Sequence, residues 1–322
     1  MTAKKKGNRR MPAEWETQSA IQLTWPHADT DWAPMLPEIE AVYEKMAREI
    51  RKREQLIVVD DIPHNDTWAR DHGFITVTST GETGKGREEI ILLDFCFNGW
   101  GEKFPAALDN QINRRLYERG IVKGTYEPHL DFVLEGGSIE SDGKGTIFTT
   151  QGCLMAPHRN QPLTRDDIEQ RLKLWLGAER IIWLQHGSLI GDDTDGHIDT
   201  IVRICPDDTL LYTAGDADHP DLLLMEQELQ QLRTLDGQPY RLLRLPLPHP
   251  IYDDGQRLPA TYANYLVLNR AVLVPTYDQA DLDTEAIRTI GQAFPDRDIV
   301  GIDCRPVIRQ HGSLHCCTMQ YY

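Results

Sequence analysis

One order of segments recurs five times along this chain, and a chain of similar units has few ways to bury them. Each unit gives a helix with an apolar face, a short apolar strand, a polar loop and a further β-rich segment. The helix candidates are Leu36–Arg53, Ala106–Arg119, Arg165–Leu176, Asp221–Leu235 and Leu282–Phe294. The first places Ile39, Val42, Tyr43, Met46 and Ile50 on one face, the spacing of an amphipathic helix. The strands that follow are Leu56–Val59, Leu130–Leu134, Ile181–Leu184, Tyr240–Leu245 and Asp298–Ile302. Helix starts fall about 60 residues apart, a period that marks a repeat architecture. A doubly wound α/β sheet is the competing arrangement.

The polar clusters fall at one place in the unit. They are residues 65–71, 135–138, 192–197, 258–264 and 311–316, each just after a unit's strand. A pseudo-symmetric fold would turn all five toward one axis and form one site there. No Ser- or Pro-rich linker divides the chain, so residues 1–322 read as one domain with a flexible tail over residues 1–10. Residues 79–86 and 141–145 read as hairpin turns. The glycines of 81–86 lack the full pattern of a phosphate loop.

Composition narrows the function. A net charge of -16 argues against nucleic acid as a partner. No stretch approaches the length of a membrane span, and the basic start of the chain is not followed by a signal-like apolar run. The six cysteines show no CxxC or Cys/His zinc spacing, which fits free thiols in a reducing, cytoplasmic setting.

Four segments carry residues suited to chemistry. His197 and Asp199 lie two apart, so on a strand they would share one pocket wall. The acids Asp192, Asp193 and Asp195 before them also allow a metal site, but no further His or Cys supports one. Cys316 lies in the last polar loop; Cys317 would face the other way on a strand. Asp71 follows Arg70, and Glu135 precedes two glycines. Each alone reads as a solvated acid or an edge histidine. Together they occupy corresponding loops of the repeat.

Several ordered motifs carry a family resemblance: residues 11–16 (Met-Pro-Ala-Glu-Trp-Glu), 23–26, 65–73, 97–101 (Phe-Asn-Gly-Trp-Gly), 134–138 (Leu-Glu-Gly-Gly-Ser), 193–199 and His315-Cys316. From Met11 to the C-terminus the chain resembles the agmatine deiminase and bacterial peptidyl-arginine deiminase family. The resemblance implies a pentein fold, an α/β propeller of five ββαβ units. It implies hydrolysis of a guanidinium to a ureido group with loss of ammonia, with no metal and no cofactor. Cys316 then corresponds to the nucleophile and His197 to the general acid/base. Asp71 and Asp199 correspond to the carboxylates that grip the guanidinium, and Glu135 supports His197. Trp100, Asn264 and Asp193 correspond to substrate-binding residues.

The expected partner is a small cationic guanidino compound, with a homodimer as the assembly. Agmatine is the expected substrate, giving N-carbamoylputrescine on a route to putrescine and the polyamines. Free or peptidyl arginine, and a non-catalytic guanidinium-binding protein, are the alternatives. Arg203 would be the cation able to meet an arginine α-carboxylate. The chain departs from the family at residues 310–313, Gln-His-Gly-Ser for Gly-Gly-Gly-Asn, and at Met319-Gln320 for Gln-Gln.

Overall fold

The computed structural model describes residues 8–80 and 88–322. Five sheets share one topology. In each, two strands pair antiparallel, and the second pairs parallel with a third reached across a helix. Strands 139–141, 146–150 and 180–184 form one, with the helix Arg165–Leu176 between the last two. Strands 202–205, 209–213 and 241–245 form another around Pro220–Gln231. Strands 266–267, 271–276 and 298–303 enclose Ala280–Ala293. Strands 75–80, 89–96 and 125–133 enclose Ile112–Glu118.

The remaining sheet joins the two chain ends. Strand Thr318–Tyr321 pairs antiparallel with Ala20–Thr24, which pairs parallel with Gln55–Val59 across the helix Leu36–Arg51. The last strand therefore belongs to the first unit, which brings the segment carrying Cys316 alongside the N-terminal motifs. Within the tail expected over residues 1–10, Asn8–Arg10 instead adds an edge strand to Ile75–Thr80, and residues 1–7 lie outside the described residues. Arg9 also reaches Glu127 through two hydrogen bonds. The expected turn over 79–86 lies largely outside the described residues, although the strands on either side do pair antiparallel.

The helices form where their apolar stripes meet these sheets. Ile39, Tyr43, Met46 and Ile50 are fully buried, each burial worth about 1.5–3 kcal/mol. Arg165–Leu176 starts at a capping box, Thr164 with Asp167, and stops at Gly177 in the left-handed conformation. The expected helix over 106–119 winds regularly only from Ile112, after a 3-10 turn at Asp109–Gln111. The helix expected to reach Leu235 ends at Gln231, because Leu232 turns extended.

Each of the five polar loops connects the third strand of one sheet to the first strand of the next. They meet. Arg70 N donates to Cys316 O, His315 N to Asn264 O, and Gly137 N to the Asp71 side chain. Asn264 Nδ2 reaches Asp199 O at 3.4 Å.

Candidate active site

A cavity of ≈ 170 Å³ opens where the loops meet, with Cys316, Asp71, Trp68 and Trp100 in its wall. Asp31, Asp66, Asp193, Phe104, Gln310 and His311 line the rest, together with two threonines and Gly312. No Arg or Lys is among these lining residues.

Local backbone chemistry places the wall groups. Asp71 sits in a single helical turn, Ala69–His72, buried beneath the cavity. Its Oδ1 accepts from Gly137 N at 3.0 Å and its Oδ2 from Trp100 Nε1 at 3.0 Å. Trp100 reaches it from a left-handed conformation, φ 56, held by the Asn98 side chain accepting from Gly101 N. Such a backbone is costly for a bulky residue and persists only where its surroundings enforce it. Gly137 is a close approach: a Cβ there would lie 2.6 Å from His197 Nδ1 and 2.9 Å from Asp71 Oδ1.

His197 and Asp199 lie behind the wall, fully buried. They do not lie on a strand. His197 precedes a 3-10 turn, Ile198–Thr200, whose tight winding brings both side chains inward. The strand expected for Cys316 and Cys317 is also a turn; regular pairing begins at Thr318. The two thiols still separate: Cys316 lines the cavity, whereas Cys317 is buried against Tyr43.

Asn264 does not line the cavity. Its Oδ1 accepts from the backbone N–H groups of His315 at 3.0 Å and Cys316 at 3.3 Å, and its Nδ2 lies 3.2 Å from the Cys316 sulfur. It holds the thiol rather than a ligand. Asp199 Oδ2 is 3.7 Å from the same sulfur.

Four buried polar positions are left open. Among the described residues, neither ring nitrogen of His197, nor Glu135 Oε2, nor Asp199 Oδ1 has a nitrogen or oxygen partner, and the Cys153 thiol is the neighbour of the His197 ring. The closest carboxylate to the ring, Asp71 Oδ1, is 3.7 Å from Nδ1, too long for a hydrogen bond. Leaving such groups unmet costs about 1–3 kcal/mol each, so their clustering marks a place made for a polar guest.

Electrostatics follow from burial and crowding. Burial pushes the Asp71 carboxyl up to about 6, with Asp199 and Glu135 adding to the rise and His197 opposing it. Burial also raises Asp66 to about 6. Burial and then the charges of Asp199 and Asp71 push the Cys316 thiol well above its usual range. Burial pulls His197 down, but Asp71, Cys153 and Asp199 outweigh it and the imidazole ends well above its ordinary value. For Asp199, burial is overcome by the His315 hydrogen bond and charge, and its carboxyl lies below the ordinary value.

Sequence reasoning missed the groups that organise this site from behind. Arg159 donates to Glu135 Oε1 at 2.8 Å, to Asp195 at 2.6 Å and to the Thr194 carbonyl at 2.8 Å. His315 lies between Asp199 Oδ2 at 2.7 Å and Glu14 Oε1 at 2.5 Å. Glu14 in turn pairs with Arg203 and, at 3.3 Å, with Arg70. Arg203 is not a free cation. It is buried, paired with Glu140 and Glu14, and donates to the carbonyls of Ala263 and Tyr265.

The acids once considered for a metal diverge. Asp192 caps its own loop, Asp195 pairs with Arg159 and Lys103, and Asp193 faces the cavity. Glu135, Cys153 and His197 bring one donor atom each within 4.8 Å of one another, as do Glu14, Glu140 and His315. In both groups an arginine already sits on the carboxylates: Arg159 on Glu135, Arg203 on Glu14 and Glu140. The arrangement suits a planar cation: the Asp71 carboxyl and the Cys316 thiol in the wall, Asp199 behind it at 3.7 Å from the sulfur, and the His197 imidazole buried beside them.

Comparisons with known proteins agree on one family. The sequence model described as "Porphyromonas-type peptidyl-arginine deiminase" matches residues 10–321. The agmatine deiminase of Medicago truncatula is 30% identical, covering 96% of this chain and 95% of that protein. A Porphyromonas gingivalis structure described as the "Putative Arginine Deiminase" is 48% identical, with a TM-score of 0.90 over 97% of this chain and 98% of that one. The Campylobacter jejuni agmatine deiminase, solved with substrate bound, is 33% identical, with a TM-score of 0.88 over 98% and 96%.

Proposed function

The chain belongs to the Porphyromonas-type peptidyl-arginine deiminase family, and from that premise we propose that it hydrolyses the guanidinium of agmatine to a ureido group, releasing ammonia. The five like sheets with converging loops support a pentein arrangement around a pseudo-fivefold axis. Among the described residues, no helix is long and apolar enough to cross a membrane. We take the enzyme to act in the cytoplasm on a free metabolite.

The chemistry follows from the geometry. Asp71 and Asp199 accept the guanidinium N–H groups and hold its central carbon against Cys316. Without a ligand, two nearby anions keep the thiol protonated. The incoming cation offsets them, so the substrate itself favours the thiolate, and the thiol proton passes to solvent. The sulfur attacks the carbon, and His197 passes its proton to the departing nitrogen, which leaves as ammonia. The product of this half is a thiouronium on Cys316. His197, now neutral, takes one proton from water as the water oxygen bonds to the carbon; the carbon–sulfur bond then breaks, the sulfur takes the remaining hydroxyl proton, and the ureido product leaves. Glu135, itself paired with Arg159, supports the His197 ring.

One observation carries the choice of agmatine: the cavity wall holds Asp31, Asp66, Asp71 and Asp193 and, among the described residues, no Arg or Lys. An α-carboxylate there would be buried among acids without a partner, which is costly. Arg203, the cation that would have met it, is fully engaged elsewhere. Asp193 is suited to the distal ammonium. The test is kcat/KM for agmatine, free arginine and a blocked arginine peptide, followed by ureido product. Agmatine should lead by tenfold or more, about 1.4 kcal/mol in transition-state binding. A peptide or arginine leading by that margin would overturn the substrate while leaving the chemistry in place.

A further inference from the structure

We propose that His315 is a positioning residue that keeps Asp199 ionised and aimed for the guanidinium, with Glu14 behind it as counter-anion. The proposal rests on the deiminase reading above and extends it to a residue that touches neither the cavity nor the reacting sulfur's attack path.

The geometry is a chain of charges running away from the cavity. His315 Nδ1 faces Asp199 Oδ2 at 2.7 Å and Nε2 faces Glu14 Oε1 at 2.5 Å. A carboxylate only accepts, so each ring nitrogen that faces an ionised acid is the donor in that hydrogen bond. Asp199 thereby spends one oxygen on His315 and keeps the other, Oδ1, open and buried. That division fixes the carboxylate's rotation, and Asn264 Nδ2 on the Asp199 carbonyl holds its backbone.

The charged groups around the pair are few and named. Asp199 faces His315, His197, Asp71, the Cys316 sulfur and, further back, Arg203. His315 faces Asp199 and Glu14, with Glu140 beyond and the Arg70 guanidinium at its carbonyl. Asp71 and Asp199 are both buried beside one site, yet their carboxyls move in opposite directions. The difference between them is a hydrogen-bonded cation: Asp199 has one in His315, whereas Asp71 has only His197 at 3.7 Å. A buried acid without such a partner keeps its proton to higher pH.

The test compares wild type with His315→Gln, which keeps a polar side chain but removes the charge. Agmatine kcat/KM is followed from about pH 5 to 9. Wild-type release of ammonia is measured first; if no guanidino substrate is turned over, it is the deiminase reading that falls. In His315→Gln the acid limb of the profile should move to higher pH by about one unit or more, because the uncompensated Asp199 carboxyl rises and is protonated over more of the range. Above that limb, activity should return to within about tenfold of wild type, and KM should carry most of the loss below it. A loss equal at all pH values, or an unmoved limb, would overturn the proposal. If the variant does not fold, neutron diffraction on unliganded wild-type crystals at neutral pH decides: protons on both His315 nitrogens and none on Asp199 are expected, and a singly protonated ring would refute it.

Discussion

The two sides of Asp199 are built from the same residue types and behave oppositely. Toward the cavity, Asp199, Glu135 and His197 leave four polar atoms unmet beside Asp71, and among the described residues no Arg or Lys lines the wall. On the far side, Glu14, Glu140, Arg70, Arg203 and His315 form a closed network in which every acid has a cation. The far side spends its charges on the fold. Among the described residues, the near side leaves the Asp71 carboxyl without a hydrogen-bonded side-chain cation, which suits it to a substrate cation.

Breaking the near side should have the largest effect. Cys316→Ala should lower kcat by at least about 10⁴-fold, since no other group in the wall can form the covalent bond. Asp71→Asn should lower kcat/KM by about 10²–10³-fold through loss of a buried charge pair with substrate. The same substitution should stabilise the empty protein. The folded-state carboxyl of Asp71, at about 6, lies above its ordinary value, so ionisation opposes folding once pH exceeds that range. Wild-type stability from this group is therefore present at low pH and lost as pH rises through about 6. Urea unfolding at pH 8 should show Asp71→Asn more stable by about 1–2 kcal/mol, and no gain near pH 4. Equal stability at both pH values would remove that cost from the account.

Breaking the far side should sharpen the contrast. Glu140→Gln leaves buried Arg203 with one acid fewer, and should cost about 3–5 kcal/mol of unfolding free energy. Its KM for agmatine should stay within about threefold of wild type. A tenfold rise in KM without loss of stability would place Glu140 on the substrate side. The smallest effect belongs to Cys317→Ala, which removes a buried thiol from a position that does not line the cavity. Most of the turnover should remain, at a cost of about 1 kcal/mol in stability.

The near side was legible in the sequence and the far side was not. Cys316, His197, Asp71 and Glu135 stand out because each falls in the polar loop of a repeating unit, and Asp199 through its spacing from His197; the loops do converge. Helix Arg165–Leu176, expected from its apolar pattern, has the observed bounds, and Thr164, Asp167 and Gly177 fix its ends in the structure. His197 and Asp199 were brought together for the wrong reason. A 3-10 turn does what strand alternation was expected to do, and a two-residue spacing does not separate them. Arg159 and Glu14 left no mark because their roles exist only as pairs, 24 residues from Glu135 and 301 residues from His315. Glu14 did lie within one of the motifs that carried the family resemblance, and His315 lay next to the nucleophile; position there was the only available signal.

The central claim is a covalent bond between Cys316 and the substrate carbon, and intact mass after rapid acid quench tests it most directly. Protein mixed with agmatine and stopped within the first turnovers should gain the mass of agmatine less ammonia, and peptide mapping should place the addition on Cys316. Ammonia released in that burst should match the adduct in amount. Turnover with no adduct at any quench time, and full activity retained in Cys316→Ala, would contradict the account.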